Sequence, residues 1–227
     1  MAREKSQSKK KPGTRQRLLE SACEVFAEKG FPSATIAEIC RRAGANIASV
    51  NYHFGSKVKL YHEVLDYAFH AAEAQYPSDG GLSTAASPEA RLKAFVTAHL
   101  RRTFSNGTAG RFHRMLAHEF SQAGSALDYL FQNVLQPQVT LLRGIIGDLL
   151  PDGVPEKRRR FYGLSVISLC AFFNYNKAAR ERFLQDADFT MDKIEWLAQH
   201  ITQFALAGIQ SAFQPIDGPE TEREFGE

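Results

Sequence analysis

Between Gly30 and Ser56 the chain carries the punctuation of several helix boundaries in fewer than thirty residues. A first predicted helix runs from about Thr14 to Lys29, and Gly30 stops it as a C-cap residue would. Thr35 with Glu38 three residues on reads as a capping box: the hydroxyl accepts a first-turn N–H and the carboxylate reaches back. Gly44 ends that second helix, Asn46 is suited to cap a third, and a fourth begins near Ser56. Two short helices joined by a tight turn form a helix-turn-helix arrangement, which also occurs in folds that bind no nucleic acid.

The rest of the chain reads as helix too. No run alternates with period two, no hairpin dipeptide separates alternating runs, and no segment repeats. The fourth helix carries the stripe Leu60, Val64, Tyr67 and Ala71. A Pro/Gly/Ser-rich loop covers residues 76–87, and Ser87-Pro88-Glu89 opens a fifth helix. Further helices are expected at about 110–122, 125–150, 156–181 and 190–212, with a kink at Pro137. The fold class is therefore all-α: an N-terminal three-helix helix-turn-helix domain (residues 14–60) and a larger C-terminal helical domain (61–213). A basic disordered tail (1–13) and an acidic mobile tail (214–227) flank them.

Charge is uneven. Residues 1–60 hold twelve Lys and Arg against five Glu, a local +7 in a chain whose formal charge is +3. Such asymmetry suits a polyanion, and the basic tail alone supplies much of it. That tail reads equally well as an arm adding salt-dependent affinity or as a solubilising extension. Cys23, Cys40 and Cys170 have no metal-ligand or CxxC spacing and read as buried free thiols. The longest apolar run, Leu164–Phe173, is about half the roughly twenty residues a membrane span needs. No apolar segment follows the basic N-terminus, so a cytoplasmic location is expected.

On a helical wheel over Ala45–Lys57, Ile47, Val50 and Phe54 fall on one side and pack inward. Ala48, Ser49, Tyr52 and His53 fall on the other, with Asn51 on the flank. The outer set is small at the N-terminus and hydrogen-bonding beyond it, which suits close approach to bases and phosphates. Lys57 lies in the first turn of the fourth helix, a poor place for a cation unless an anion binds there. The alternative is the ordinary surface of a short amphipathic helix.

The stretch TRQRLLESACEVFAEKGFPSATIAEICRRAGANIASVNYHFGSKVKLYHEVL, Thr14 to Leu65, resembles the DNA-binding domain of the TetR family of bacterial transcriptional regulators. Phe26, Gly30 and Phe31, the threonine-led second helix, the Ala-Gly turn and Tyr-His-Phe before Ser-Lys carry the likeness. The NIASVNYHFGSK form is similar to the CecR/YbiH-like branch. The resemblance implies that Thr35 contacts phosphate and that Ile47, Ala48 and Ser49 lie near bases. It implies backbone or base-edge contacts for Asn51, Tyr52 and His53, and a phosphate clamp at Lys57. Asn51 departs from the family's usual tyrosine.

The resemblance further implies a homodimer on a palindromic double-stranded operator, the last two helices pairing with their copies. Their apolar positions are Tyr162, Val166 and Leu169, then Ile194, Leu197, Ile201, Phe204, Ala205 and Gly208. These residues read otherwise as the core of a monomer. A small hydrophobic effector is implied in the C-terminal half. Candidates are Phe112, His113, Met115, Leu116, His118 and Glu119 on the sixth helix, and Phe172, Phe173, Asn174 and Tyr175 on the eighth. Core filling is the competing reading for each.

An enzyme built on His113, His118 and Glu119 is the distant alternative. HRMLAHE lacks the helical zinc spacing, and no phosphate loop or nucleophile motif occurs. No cofactor, metal or membrane partner is expected, and the chain is read as a regulator rather than an enzyme.

Overall fold

A computed structural model describes residues 12–122, 124, 126–175, 182 and 190–211. Both predicted tails fall almost wholly outside them. Among the described residues there is no strand.

Helix α1 (Thr14–Ser33) buries Leu18, Leu19, Ala22, Cys23, Val25, Phe26 and Ala27. Its chain leaves helical conformation at Gly30, where φ is +71°, and then resumes for one more turn through Ser33 instead of ending. Gly30 is also a close approach. A Cβ there would sit 3.3 Å from the His118 ring. Gly30→Ala is expected to lower stability by about 1–2 kcal/mol, read by denaturant melting, because it adds a left-handed residue and a tight contact together.

Helix α2 (Ile36–Ala43) starts as expected, with Thr35 Oγ accepting from Glu38 N at 3.2 Å. The return arm of the capping box is different. The Glu38 carboxylate accepts from Lys29 at 2.5 Å and Arg42 at 2.8 Å, and Arg42 also holds Glu28 with two bonds. The nearby cations out-compete one backbone N–H, and the carboxylate ties α2 to α1. Gly44 adopts φ +58°, and α3 (Ile47–Phe54) follows. Asn46 Oδ1 accepts from Ser49 N and Ser49 Oγ, each at 2.9 Å. Helix α4 (Lys57–Gln75) is capped by Ser56 Oγ accepting from Lys59 N at 3.2 Å.

The buried face of α4 is wider than the predicted stripe. Leu60, Tyr61, Val64, Leu65, Ala68, Phe69 and Ala72 are buried, while Tyr67 and Ala71 are half-buried. This helix lies between α1 and α6 (Thr108–Gln122), which is why one stripe is not enough. Helix α5 (Pro88–Phe104) begins at Ser87, whose Oγ accepts from Ala90 N at 3.2 Å.

Pro137 does more than kink a continuous helix. The expected 125–150 helix is split into a short turn (Leu127–Tyr129), a π-helical turn (Leu130–Val134) and α7 (Gln136–Leu149). Leu135 N reaches back to Leu130 O at 2.8 Å, and Pro137 occupies the first turn of the new helix, where its missing N–H costs least. Helices α8 (Glu156–Tyr175) and α9 (Met191–Gln210) complete the described fold.

Among the described residues there are two apolar cores. One joins α1–α4 to α6 and to residues 126–135, so it runs on across residue 60 without a break. The other joins α5, α7, α8 and α9. All three cysteines are buried, and burial pushes the Cys23 and Cys170 thiols up to about 12.

Candidate functional site

Helix α3 presents a face rather than a cleft. Val50 and Phe54 are buried beneath it, and Ala48 and Asn51 are exposed. Tyr52 is 85 % exposed, with its ring edge-on to His53 at 4.9 Å; Ser49 and His53 are half-buried.

Ile47 is not an anchor. It is 56 % exposed and belongs to the outer face. Side chains on a helix lean toward its N-terminus, so a residue at the first position projects past the end instead of over a preceding turn. Ala43 and Cys40, near the end of α2, belong to the buried cluster, and Ala45 packs against that cluster.

The supports of this face are not all local. Lys57 Nζ donates to Pro32 O at 3.4 Å and lies 4.5 Å from the centre of the Phe31 ring. Burial lowers its pKa. It therefore braces the chain entering α2, with Phe31 packed in turn on Tyr61 at 4.9 Å. Thr35 is exposed at the start of α2, its oxygen engaged in the cap.

Two arginines escaped the sequence reading. Arg17 Nε donates to Ala43 O at 3.0 Å, satisfying the C-terminal end of α2, and its Nη1 donates to Pro12 O at 2.9 Å. Arg15 pairs with Glu63 and lies 5.1 Å from the Phe54 ring centre, clasping α3 between α1 and α4. Neither has a short-range signal, since the partners lie 26 and 48 residues away.

The α6 candidates fill core. Phe112, Met115 and Leu116 are buried in the first cluster. Glu119 is 2 % exposed and accepts from Tyr61 Oη at 2.9 Å and Ala126 N at 3.1 Å. His118 packs on Gly30. His113 is buried, bonded to Ala109 O at 3.2 Å and edge-on to His99 at 5.0 Å. None of these residues lines the trough between α8 and α9 or the cavity beside Glu73. An amphipathic helix between two neighbours spends its apolar and polar groups on packing against both.

The larger void, about 620 Å³, is a trough between α8 and α9. Phe161, Leu164, Phe172 and Phe204 line it at 47–63 % exposure, with Ser165, Ser168 and His200 among them. Phe172 and Phe173 thus face this trough, while the side chains of Asn174 and Tyr175 lie outside the described residues.

Burial in the protomer narrows the predicted pairing surface, of which Leu169, Ile201 and Phe204 line the trough. Val166, Ile194, Leu197, Ile201 and Ala205 are buried in the protomer's own second core, and Tyr162 and Leu169 are half-buried. Of the nine residues expected to pair, Phe204 and Gly208 alone are exposed. Both helices are apolar on two faces, and the inner face is claimed by α5 and α7.

The smaller cavity, about 220 Å³, lies where α4, the loop after it and α7 meet. Beside it Arg102 is fully buried and paired with Glu73, which also accepts from Gln138 at 2.7 Å and Ser78 Oγ at 2.5 Å. Burial works to raise the Glu73 pKa, and Arg102, Ser78 and Gln138 outweigh it, so the carboxylate is held below its ordinary value. Nearer the head, Tyr129 Oη donates to Asp66 at 2.7 Å and its ring stacks on His62 at 3.8 Å. Arg111 pairs with Glu24 at 2.8 Å across α6 and α1. The C-terminal helices therefore grip α4 and α1 at several separate points.

Among the described residues, no helix is long and apolar enough to cross a membrane. Comparison with known proteins adds two family matches. Residues 18–64 match the model described as bacterial regulatory proteins, tetR family. Residues 88–209 match the C-terminal domain of the HTH-type transcriptional dual regulator CecR. The HTH-type transcriptional repressor NicS of Pseudomonas putida is 30 % identical over 207 residues, 87 % of this chain and 92 % of NicS. Among solved structures, the transcriptional regulator FadR from Bacillus subtilis, in complex with stearoyl-CoA, superposes with a TM-score of 0.66 at 14 % identity. That match covers 86 % of this chain and 98 % of FadR. AibR, in complex with isovaleryl coenzyme A and operator DNA, superposes with a TM-score of 0.64 at 16 % identity, covering 85 % and 97 %.

Proposed function

We infer the role of this chain from one premise: it belongs to the TetR family of bacterial regulatory proteins and carries a CecR-type C-terminal domain. It is a DNA-binding transcriptional regulator. The head, residues 14–60, sets α3 into a major groove, and the remainder reads an effector and pairs the subunits. The sense of regulation is repression released by ligand, in keeping with the repressor NicS. The effector has a substantial apolar part, a reading supported by structural relatives solved with acyl-coenzyme A molecules.

One observation carries the DNA reading. The exposed side of α3 brings Ile47, Ala48, Asn51 and Tyr52 together on a helix whose start is capped and whose ends are braced from α1, α2 and α4. Ala48 lets the backbone approach, Ile47 offers contact to a thymine methyl, and Asn51 is the side chain on α3 able to make two bonds to an adenine edge. Tyr52 and Lys57 suit phosphates.

The second copy seats on the α8–α9 trough. Apolar aromatics exposed on two adjacent long helices form a self-complementary face, and a two-fold dimer matches two half-sites about one turn apart. Ligand then acts by population shift. It favours a state in which α4 holds the two heads out of register with successive grooves.

The test is affinity for the DNA beside the chain's own gene, at fixed salt. Tyr52→Ala and Asn51→Ala are each expected to weaken binding about tenfold or more. Melting temperature should hardly move, because both side chains are exposed. Binding that ignores both substitutions, or that has no preferred sequence, rejects the reading of α3.

A further inference from the structure

We propose that the cavity at Glu73, Ser78 and Gln138 binds the carboxylate of a small effector, which takes the place of the Glu73 side chain on Arg102. The proposal rests on the reading that the C-terminal region is the effector domain.

Arg102 carries the argument. Its side chain is fully buried, with Nε donating to Ala98 O at 3.2 Å and Nη2 donating to Ser78 Oγ at 2.9 Å. Among the described residues its carboxylate partner is Glu73. A buried guanidinium left without a counter-charge is strongly unfavourable, so something anionic must always stand there. Glu73 differs from its partner in position. It is 28 % exposed and lines the cavity, so it has a route to water that Arg102 lacks.

That difference selects the class of ligand. A cation entering the cavity would compete for Glu73 and strip Arg102 of its counter-charge. A carboxylate replaces one Arg–carboxylate pair with another and releases Glu73 to solvent, so the exchange itself is close to balanced. Ser78 Oγ and the Gln138 amide, which now donate to Glu73, are placed to donate to the newcomer. Net affinity then comes from the apolar wall of Phe69, Pro137 and Leu141. Asp79 lies at the rim, exposed, its Oδ1 accepting from Gly81 N at 2.8 Å, so its charge is screened by water. A volume of about 220 Å³ holds roughly seven water-sized groups, which fits a short aliphatic or single-ring monocarboxylate.

A second observation lies behind the pair. One turn before Arg102 on α5, the buried His99 Nδ1 has no hydrogen-bond partner among the described residues.

The regulatory consequence is specific. Glu73 is on α4, and through it α4 is tied to α5, to the 76–82 loop and to α7 at once. Exchange cuts all three ties together and frees the C-terminal end of α4, whose other end carries the head.

Thermal melting of the full chain tests this without DNA, so a chain that bound no operator would reject the regulatory reading and leave the site open to judgement. Glu73→Gln keeps the shape and removes the charge. The variant is expected to melt about 5 °C or more below wild type. Millimolar benzoate or hexanoate should restore it, while benzamide and benzylamine should not. Benzoate should also bind Glu73→Gln about tenfold more tightly than wild type, since no internal carboxylate competes. Arg102→Met should abolish the preference for benzoate over benzamide. Equal effects of benzoate and benzamide on Glu73→Gln overturn the proposal. So does a Glu73→Gln chain that benzoate fails to rescue, folded or not, or a preference for benzoate that survives in Arg102→Met.

Discussion

Leu164→Glu and Phe204→Glu are each expected to convert a dimer into monomers and to lower operator affinity about a hundredfold or more. Both side chains are exposed by 60 % or more, so neither supports the protomer, and circular dichroism should remain helical. In a two-fold interface each substitution acts twice. Burial of a large apolar side chain contributes about 1.5–3 kcal/mol, and a carboxylate forced into the same dry position costs more than its loss. The sum per dimer is about 5 kcal/mol or more, enough to move a submicromolar dimer far above working concentrations. Operator affinity falls with it, because two heads joined to one body bind at high effective concentration and separate heads do not. Light scattering should give wild type a mass near twice 25.4 kDa and each variant a mass near 25.4 kDa. A wild-type monomer at micromolar concentration, or a variant that stays dimeric, would remove the trough from consideration. Val166→Ala is the contrasting control: Val166 is 2 % exposed within the second core, so this change should cost fold stability before assembly.

The second large effect is acid sensitivity centred on two buried histidines. His99, on α5, is driven down to about 3 by burial and then by the Arg102 charge. His113, on α6, is driven well below 6.5 by burial, then by His99 and Arg102, with its bond to Ala109 O opposing. Both rings are therefore neutral in the folded chain, while in the unfolded chain they protonate near 6.5. Between those values the unfolded state holds more protons, so stability is complete above about pH 6.5 and falls as pH drops below it.

Each ring that stays neutral in the fold costs on the order of 1 kcal/mol per pH unit in that window. A fall in melting temperature of roughly 10 °C between pH 7 and pH 5 is the expected result. The ion-paired carboxylates Glu28, Glu38 and Glu156 are held below 4.5 and enter only at lower pH. His99→Leu removes one titrating ring and its unpaired nitrogen, so the variant should gain on wild type at pH 5 relative to pH 8. A gap that does not change with pH would assign the acid loss elsewhere.

The boundaries of α2, α3, α4 and α5 were legible because caps act over three residues. Thr35, Asn46, Ser56 and Ser87 each accept from the N–H three positions on, and no distant group has to be known to foresee it. The candidate reading face was nearly as legible, since Val50 inward and Tyr52 outward follow from helical period alone. Ile47 broke the pattern at the one position where the wheel has no preceding turn to refer to.

Local rules could not go further in the C-terminal half. Helices α8 and α9 are apolar on two faces, and periodicity counts both without saying which meets α5 and which meets another copy. The same limit applies to polar groups. Nothing near Arg102 in sequence announces a fully buried guanidinium, because its carboxylate lies 29 residues away on α4. Arg17 reaches Ala43 O, and Tyr129 reaches Asp66, over still longer or comparable separations. By itself the sequence determined an all-helical chain, the starts of its short helices and the side of α3 turned outward, since these depend on dihedral preference, capping and period. Tertiary structure alone decided which apolar faces are core, which are left outside, and which charges are sealed in with a partner, since burial belongs to pairs of elements and desolvation depends on everything packed around a group.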